Sequence, residues 1–245
     1  IQILGLYFRG KIGNKIMAKI VSFGDSFIFG TELKHNTNGS KAWPGLVATE
    51  LGYDYETLAE AGCGNESIAM QVYHYFANNP VDDTLAVINW TWTQRWDFYV
   101  VGHEKWVTLG PTCVPEKLEK NLNNINQSER IVNFAQDYCI HSLLWNKFRT
   151  LQTVANVQQY IDQKGINAIQ TYTDRHMLDT SMHAPDYIQE LQKMVAPHMT
   201  DWDGKTFLEW CDSQGFYKTE TWHPLEPAHQ AAAEFWKETY KAKLQ

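Results

Sequence analysis

The chain has no long apolar run, no lysine–arginine cluster and no closely spaced cysteine pair, and each absence narrows its chemistry. Without an apolar run of membrane length, no membrane span is expected. Its 245 residues carry 21 Lys and Arg against 28 Asp and Glu, for a formal net charge of −7. That balance argues against a nucleic-acid-binding surface. Cys63, Cys113, Cys139 and Cys211 show no C-x-x-C spacing, which argues against a zinc site. They read as free thiols in a reducing compartment, with a disulfide as the alternative. Gly62-x-Gly64 lacks the third glycine of a dinucleotide-binding turn. There is also no internal repeat, low-complexity segment or linker, so residues 17–245 read as one domain starting at Met17. Residues 1–16 read as an extension or tail, with an added edge element as the alternative. Their apolar patch precedes Arg9, Lys11 and Lys15, the wrong charge order for a secretory signal. A cytoplasmic location is therefore slightly favoured.

What is present alternates between strand and helix patterns. Apolar, β-branched runs at Lys19–Phe23, Tyr53–Ala59, Thr84–Trp90 and Ile166–Tyr172 read as strands. Helical patterns fall near Trp43–Leu51, Ser67–Asn78, Pro185–Val195 and Pro227–Leu244. A long helical stretch runs from a cap at Ser128 to Lys164, where Gly165 stops it. Phe207–Cys211 is either a fifth strand or a helical turn. Thr91–Gln127 is long, irregular and aromatic, the mark of a functional loop or an insertion. Alternation of this kind implies an α/β fold: a three-layer α/β/α sandwich around a mainly parallel sheet of about five strands.

Two short segments carry the chemistry. The first strand breaks into Gly24-Asp25-Ser26-Phe27, which exposes a serine just past the end of a strand. Far downstream stands Glu220-Thr221-Trp222-His223-Pro224, followed by Ala228-His229. A base histidine needs a carboxylate on its second ring nitrogen, and Glu220 lies three residues from His223. His229 reads as a packing residue. Tryptophans 90, 92, 96, 202 and 222 are either core residues or a cleft wall that stacks on sugar rings or acyl chains. Asp174, His176 and His183 match no familiar ligand spacing. Neither a metal nor a cofactor is expected.

Gly24-Asp25-Ser26-Phe27, then Gly64-Asn65 after the second strand, then His223-Pro224 with Ala228-His229, resemble the SGNH/GDSL hydrolase family in order and spacing. The resemblance implies a flavodoxin-like sheet and metal-free hydrolysis of an ester or acetyl group. It implies Ser26 as nucleophile, His223 as base and the Gly64 N–H as oxyanion donor. Two positions depart from the pattern. Glu220 stands where the family has Asp. The third block, Gly-x-Asn in the family, is replaced by Asn89-Trp90-Thr91-Trp92-Thr93-Gln94-Arg95. Gly64, Asn65, Thr91, Thr93, Gln94 and Arg95 thus form the expected oxyanion and substrate-binding set. Thr91, Thr93 or Gln94 replaces the missing donor, or that donor is absent. Arg95 meets either an anionic substrate group or a surface carboxylate. The expected partner is a small-molecule or carbohydrate ester. The rival readings are a binding module that has lost turnover and a metal-dependent hydrolase.

Overall fold

The computed structural model describes residues 18–100, 105–111, 113, 118, 125–181 and 183–244. The expectations for residues 1–16 and for Met17, and part of the Thr91–Gln127 segment, lie outside these. Four strands, β1 (Lys19–Phe23), β2 (Asp54–Thr57), β3 (Thr84–Trp90) and β6 (Asn167–Tyr172), form a parallel sheet in the order β2-β1-β3-β6. Every residue of β3, and every residue of β1 after Lys19, is buried. Burial on both faces is why these two strands read as unbroken apolar runs rather than as alternating ones.

Alternate residues of the strands feed two separate cores. Ile20, Leu85, Val87 and Ile169 face one side, against α2 (Trp43–Leu51), α7 (Phe207–Ser213) and α8 (Glu226–Lys243). Val21, Phe23, Ala86, Ile88 and Trp90 face the other, against α3 (Asn65–Asn78), α5 (Leu143–Lys164) and α6 (Asp186–Val195). The result is a three-layer α/β/α sandwich. Trp202 sits among Trp43, Trp210 and Trp236 at ring distances of 5.1–5.2 Å in the first core, so Trp90 and Trp202 are packing residues, not cleft wall. Among the described residues, no helix is long and apolar enough to cross a membrane.

The sheet has four strands because Phe207–Ser213 is a helix. Its capping box closes Thr206 on Glu209, an arrangement that the Thr-x-x-Glu spacing favours. The long helical stretch is broken. Helix α4 (Ile125–Phe134) runs into a π-helical turn (Ala135–Ile140), and α5 starts afresh after Ser142. Ser128 therefore lies inside α4 rather than capping it. Within the segment read as irregular, β4 (Trp96–Val100) and β5 (Lys105–Leu109) pair antiparallel.

The first chain reversal lies between β1 and β3, whose neighbours diverge to opposite edges. Open parallel sheets bind ligands at the strand C-termini of such a switch point. The turns after β1 and β3 both emerge there.

Candidate active site

The Ser26 turn is held from beneath. Gly24 passes so close to the β3 end that a Cβ there would lie 2.9 Å from Ile28 and 3.1 Å from the Asn89 carbonyl. Asp25 caps the one-turn helix α1 (Ser26–Phe29), accepting the Phe27 N–H at 3.1 Å. Its second oxygen accepts the Thr91 hydroxyl at 2.5 Å and Arg95 Nη1 at 2.8 Å. Asp25 is fully buried, and Arg95 also reaches the Cys63 carbonyl at 3.0 Å. Arg95 thus ties together the turns after β1, β2 and β3. Its carboxylate partner is the buried Asp25 and not a surface group, which corrects the surface-salt-bridge alternative. Ser26 is the first residue of α1, so helix geometry leaves its N–H without an intrahelical partner. Among the described residues, Ser26 Oγ makes no hydrogen bond.

His223 lies in a tight turn closed by Thr219, which donates its N–H to the His223 carbonyl at 3.0 Å. The Thr219 hydroxyl accepts the His223 N–H at 3.2 Å, and Lys218 bridges Pro224 across the base of the turn. Trp222 holds φ of +70° immediately before the histidine, a left-handed conformation that is strained for a bulky side chain. The His223 ring packs 5.4 Å from the Phe27 ring, which brings the base candidate against the residue next to Ser26. Glu220, expected to orient His223, is exposed and makes no hydrogen bond or ion pair among the described residues. The carboxylate at the ring belongs to Glu32, whose Oε2 lies 3.1 Å from His223 Nδ1. The Thr221 hydroxyl stands 2.9 and 2.8 Å from the two Glu32 oxygens and 3.0 Å from Nδ1. The Thr219 and Thr221 hydroxyls hold the Glu32 carboxyl below its ordinary pKa.

Gly64 departs furthest from expectation. Its N–H donates to Asp97 Oδ1 at 2.9 Å, and the Ser67 N–H donates to Asp97 Oδ2 at 2.8 Å. Asp97, from β4, thus occupies the N-terminus of α3, where the partial positive charge of the helix favours a carboxylate. A Cβ on residue 64 would lie 2.5 Å from Asp97 Oδ2, so this contact requires glycine.

The remaining polar residues of the set are mostly spent on structure. Asn65 is buried, accepts the Thr91 N–H at 2.8 Å and donates to the Thr91 carbonyl at 3.2 Å. Thr91 gives its hydroxyl to Asp25. Thr93 gives both its N–H and its hydroxyl to Asp174, at 2.9 and 2.8 Å. Gln94 alone of the three replacement donors keeps a side chain with no hydrogen bond among the described residues, and it is half-buried. The other Asp174 oxygen accepts the His176 N–H at 3.0 Å, so both of its oxygens are engaged locally. Among the described residues, no group of three or more His, Cys, Asp or Glu could hold a metal ion. The Cys63 thiol donates to the Gly24 carbonyl at 3.3 Å, and burial pushes its pKa well up. Fully buried His229 accepts the Trp43 N–H on Nδ1 at 3.2 Å. Burial pulls the His229 pKa down to about 4, so it packs as a neutral ring.

The sequence reading missed Glu32, Thr219, Thr221 and Asp97. Only Thr219-x-Thr221-x-His223, with its hydroxyls on alternate residues, left a local trace.

Similarity to solved structures follows the same layout. A member of the lipolytic protein G-D-S-L family from Veillonella parvula DSM 2008 superposes with a TM-score of 0.51 at 12% identity, covering 91% of this chain and 98% of that one. The chain has the SGNH/GDSL hydrolase fold. A lipolytic protein of the same family from Desulfitobacterium hafniense DCB-2 gives 0.47 at 12% identity, with 90% and 98% covered. A family-two carbohydrate esterase from Clostridium thermocellum, in complex with cellohexaose, gives 0.46 at 15% identity, with 92% and 64% covered. No family model and no curated protein matches this SGNH-fold chain.

Proposed function

We propose that this protein is a metal-independent serine ester hydrolase of the SGNH type, with Ser26 as nucleophile and His223 as base. The observation that carries this reading is the His223–Glu32 pair, held by a strained turn against the Phe27 ring beside Ser26. With the carboxylate on Nδ1, that nitrogen carries the proton and Nε2 keeps its lone pair. Nε2 takes the Ser26 Oγ proton as the oxygen attacks an ester carbonyl. It then returns the proton to the leaving alcohol, and water repeats the sequence on the acyl-enzyme. Among the described residues no hydrogen bond joins Ser26 to His223. Such bonds are commonly long in free enzymes and tighten when substrate binds.

The Ser26 N–H serves the oxyanion, and Gln94, whose side chain makes no hydrogen bond among the described residues, serves as the second donor. With Gly64 engaged by Asp97, turnover is slow, because one lost oxyanion donor costs on the order of 10²–10³-fold. The same Asp97 contact supports the rival reading, a binding module that keeps the fold without turnover. We assign the leaving alcohol, the carbohydrate hydroxyl from which an acetyl group is removed, to the open depression that borders the Thr219–His223 turn. Its volume is about 500 Å³, and Tyr217, Lys218, Glu220 and Trp222 are among its lining residues. Trp222 is 64% exposed, leaving ring surface for a sugar to stack on.

Hydrolysis of p-nitrophenyl acetate by the wild type and by Ser26→Ala tests the proposal. Turnover is expected to fall on the order of 10³-fold or more in the variant. Equal rates in the two proteins would favour the binding module.

A further inference from the structure

We infer that Glu32, and not Glu220, is the positioning residue for His223, so that nucleophile and orienting carboxylate come from one continuous segment. This rests on the hydrolase reading above.

Ser26 and Glu32 flank the single turn of α1, which ends at Gly30. Gly30 holds φ of +73°, and a Cβ there would meet Leu33 at 2.7 Å, so the chain reverses sharply at this point. Glu32 itself holds φ of +69°. A non-glycine residue rarely adopts that conformation unless its surroundings repay the strain. Here the reversal delivers the carboxylate to the His223 turn, 191 residues away in sequence. Two left-handed residues thus flank the pair, Glu32 at the histidine ring and Trp222 just before His223 in the chain.

The contacts of Glu32 suit a positioning role. Both oxygens lie within 2.9 Å of the Thr221 hydroxyl, and Oε2 also meets His223 Nδ1. The carboxylate is thereby fixed by a hydroxyl that itself stands at the ring. Thr219 extends the chain, with its hydroxyl 2.9 Å from that of Thr221. The threonine hydroxyls keep Glu32 ionised. An ionised carboxylate on Nδ1 sets the tautomer and stabilises the imidazolium that forms when Ser26 is deprotonated. Glu220 has no such contacts. His229 also couples to His223, and it is fully buried and stays neutral above about pH 4.

The test compares Glu32→Gln, Glu32→Asp and Glu220→Gln in the full chain, by ester kinetics and by NMR titration of the His223 ring. Glu32→Gln should lower kcat by about 10–10²-fold with little change in KM. This is less than a buried carboxylate gives, because Glu32 is partly solvated and Thr221 remains. The acidic limb of the rate profile, and the NMR midpoint of His223, should move to lower pH relative to the wild type, because the variant loses the carboxylate that favours the imidazolium. Glu32→Asp should recover part of the loss, and Glu220→Gln should leave the NMR midpoint of His223 at its wild-type position. An unmoved His223 midpoint in Glu32→Gln, or a midpoint moved by Glu220→Gln alone, would overturn the assignment. The NMR midpoint is read without turnover, so it separates failure of this pair from failure of the hydrolase reading, which the Ser26→Ala comparison decides.

Discussion

Asp97 Oδ1 accepts the Gly64 N–H at 2.9 Å, placing a carboxylate on the backbone donor that the fold otherwise leaves open. The Ser67 N–H and the Thr108 hydroxyl bind the same carboxylate, so Asp97 caps α3 from the β4–β5 hairpin. One side chain thus stabilises the helix start and occupies the N–H proposed as an oxyanion donor.

Opposite effects on stability and rate follow from that double role. Asp97→Ala removes the carboxylate, and with it the cap and the acceptor of the Gly64 N–H. Its stability should fall by about 1 kcal/mol, as for loss of a helix cap. Ester turnover should rise, by up to about 10²-fold, as the Gly64 N–H becomes available. Denaturant unfolding and p-nitrophenyl acetate kinetics measure the two effects. A fall in turnover out of proportion to any unfolding would instead make Asp97 part of the working site.

His229 gives the fold a pH dependence of its own. Its folded pKa of about 4 lies below the 6.5 of a free histidine, so the unfolded chain binds the proton more readily. Its contribution to stability is therefore complete above pH 6.5 and is lost as pH falls towards 4. The full loss is about 3 kcal/mol. Protonation would also cost the Trp43 N–H its acceptor. Urea unfolding at pH 7, 5.5 and 4.5 should show the decline, and His229→Gln should flatten it. The carboxylates with lowered values, Glu32, Asp179, Glu209 and Glu226, act only below their unfolded values of 3.8 for Asp and 4.5 for Glu, which separates the two windows. A wild-type curve flat between pH 6.5 and 5 would contradict this role for His229.

The legible parts of the chain were those with local signatures. Thr84–Trp90 is a strand with the expected bounds, because a fully buried parallel strand is apolar throughout. Trp43–Leu51 is a helix with its expected bounds, punctuated by Pro44 and Gly52. Trp96–Val100 escaped notice because its residues are only half-buried or exposed, which erases the alternation that marks a strand. At the site, Ser26 and His223 stood out through short motifs. Glu32 did not, because its contact with His223 spans most of the chain and leaves no spacing rule to read. Glu220 satisfied such a rule and still points elsewhere. The left-handed backbone at Trp222 and the Thr219–His223 closure turn Thr221 towards the ring instead. The donor role of Gly64 came from the family resemblance of Gly64-Asn65. Only the fold brings Asp97 across to it.

The most direct test of Ser26 and His223 as a working pair is covalent capture by a fluorophosphonate ester, with the adduct mapped by mass spectrometry. A single adduct on Ser26 is predicted, absent in Ser26→Ala and formed at least about 10-fold more slowly in His223→Ala. An adduct on another residue, or no adduct while Ser26→Ala cleaves esters as fast as the wild type, would contradict it.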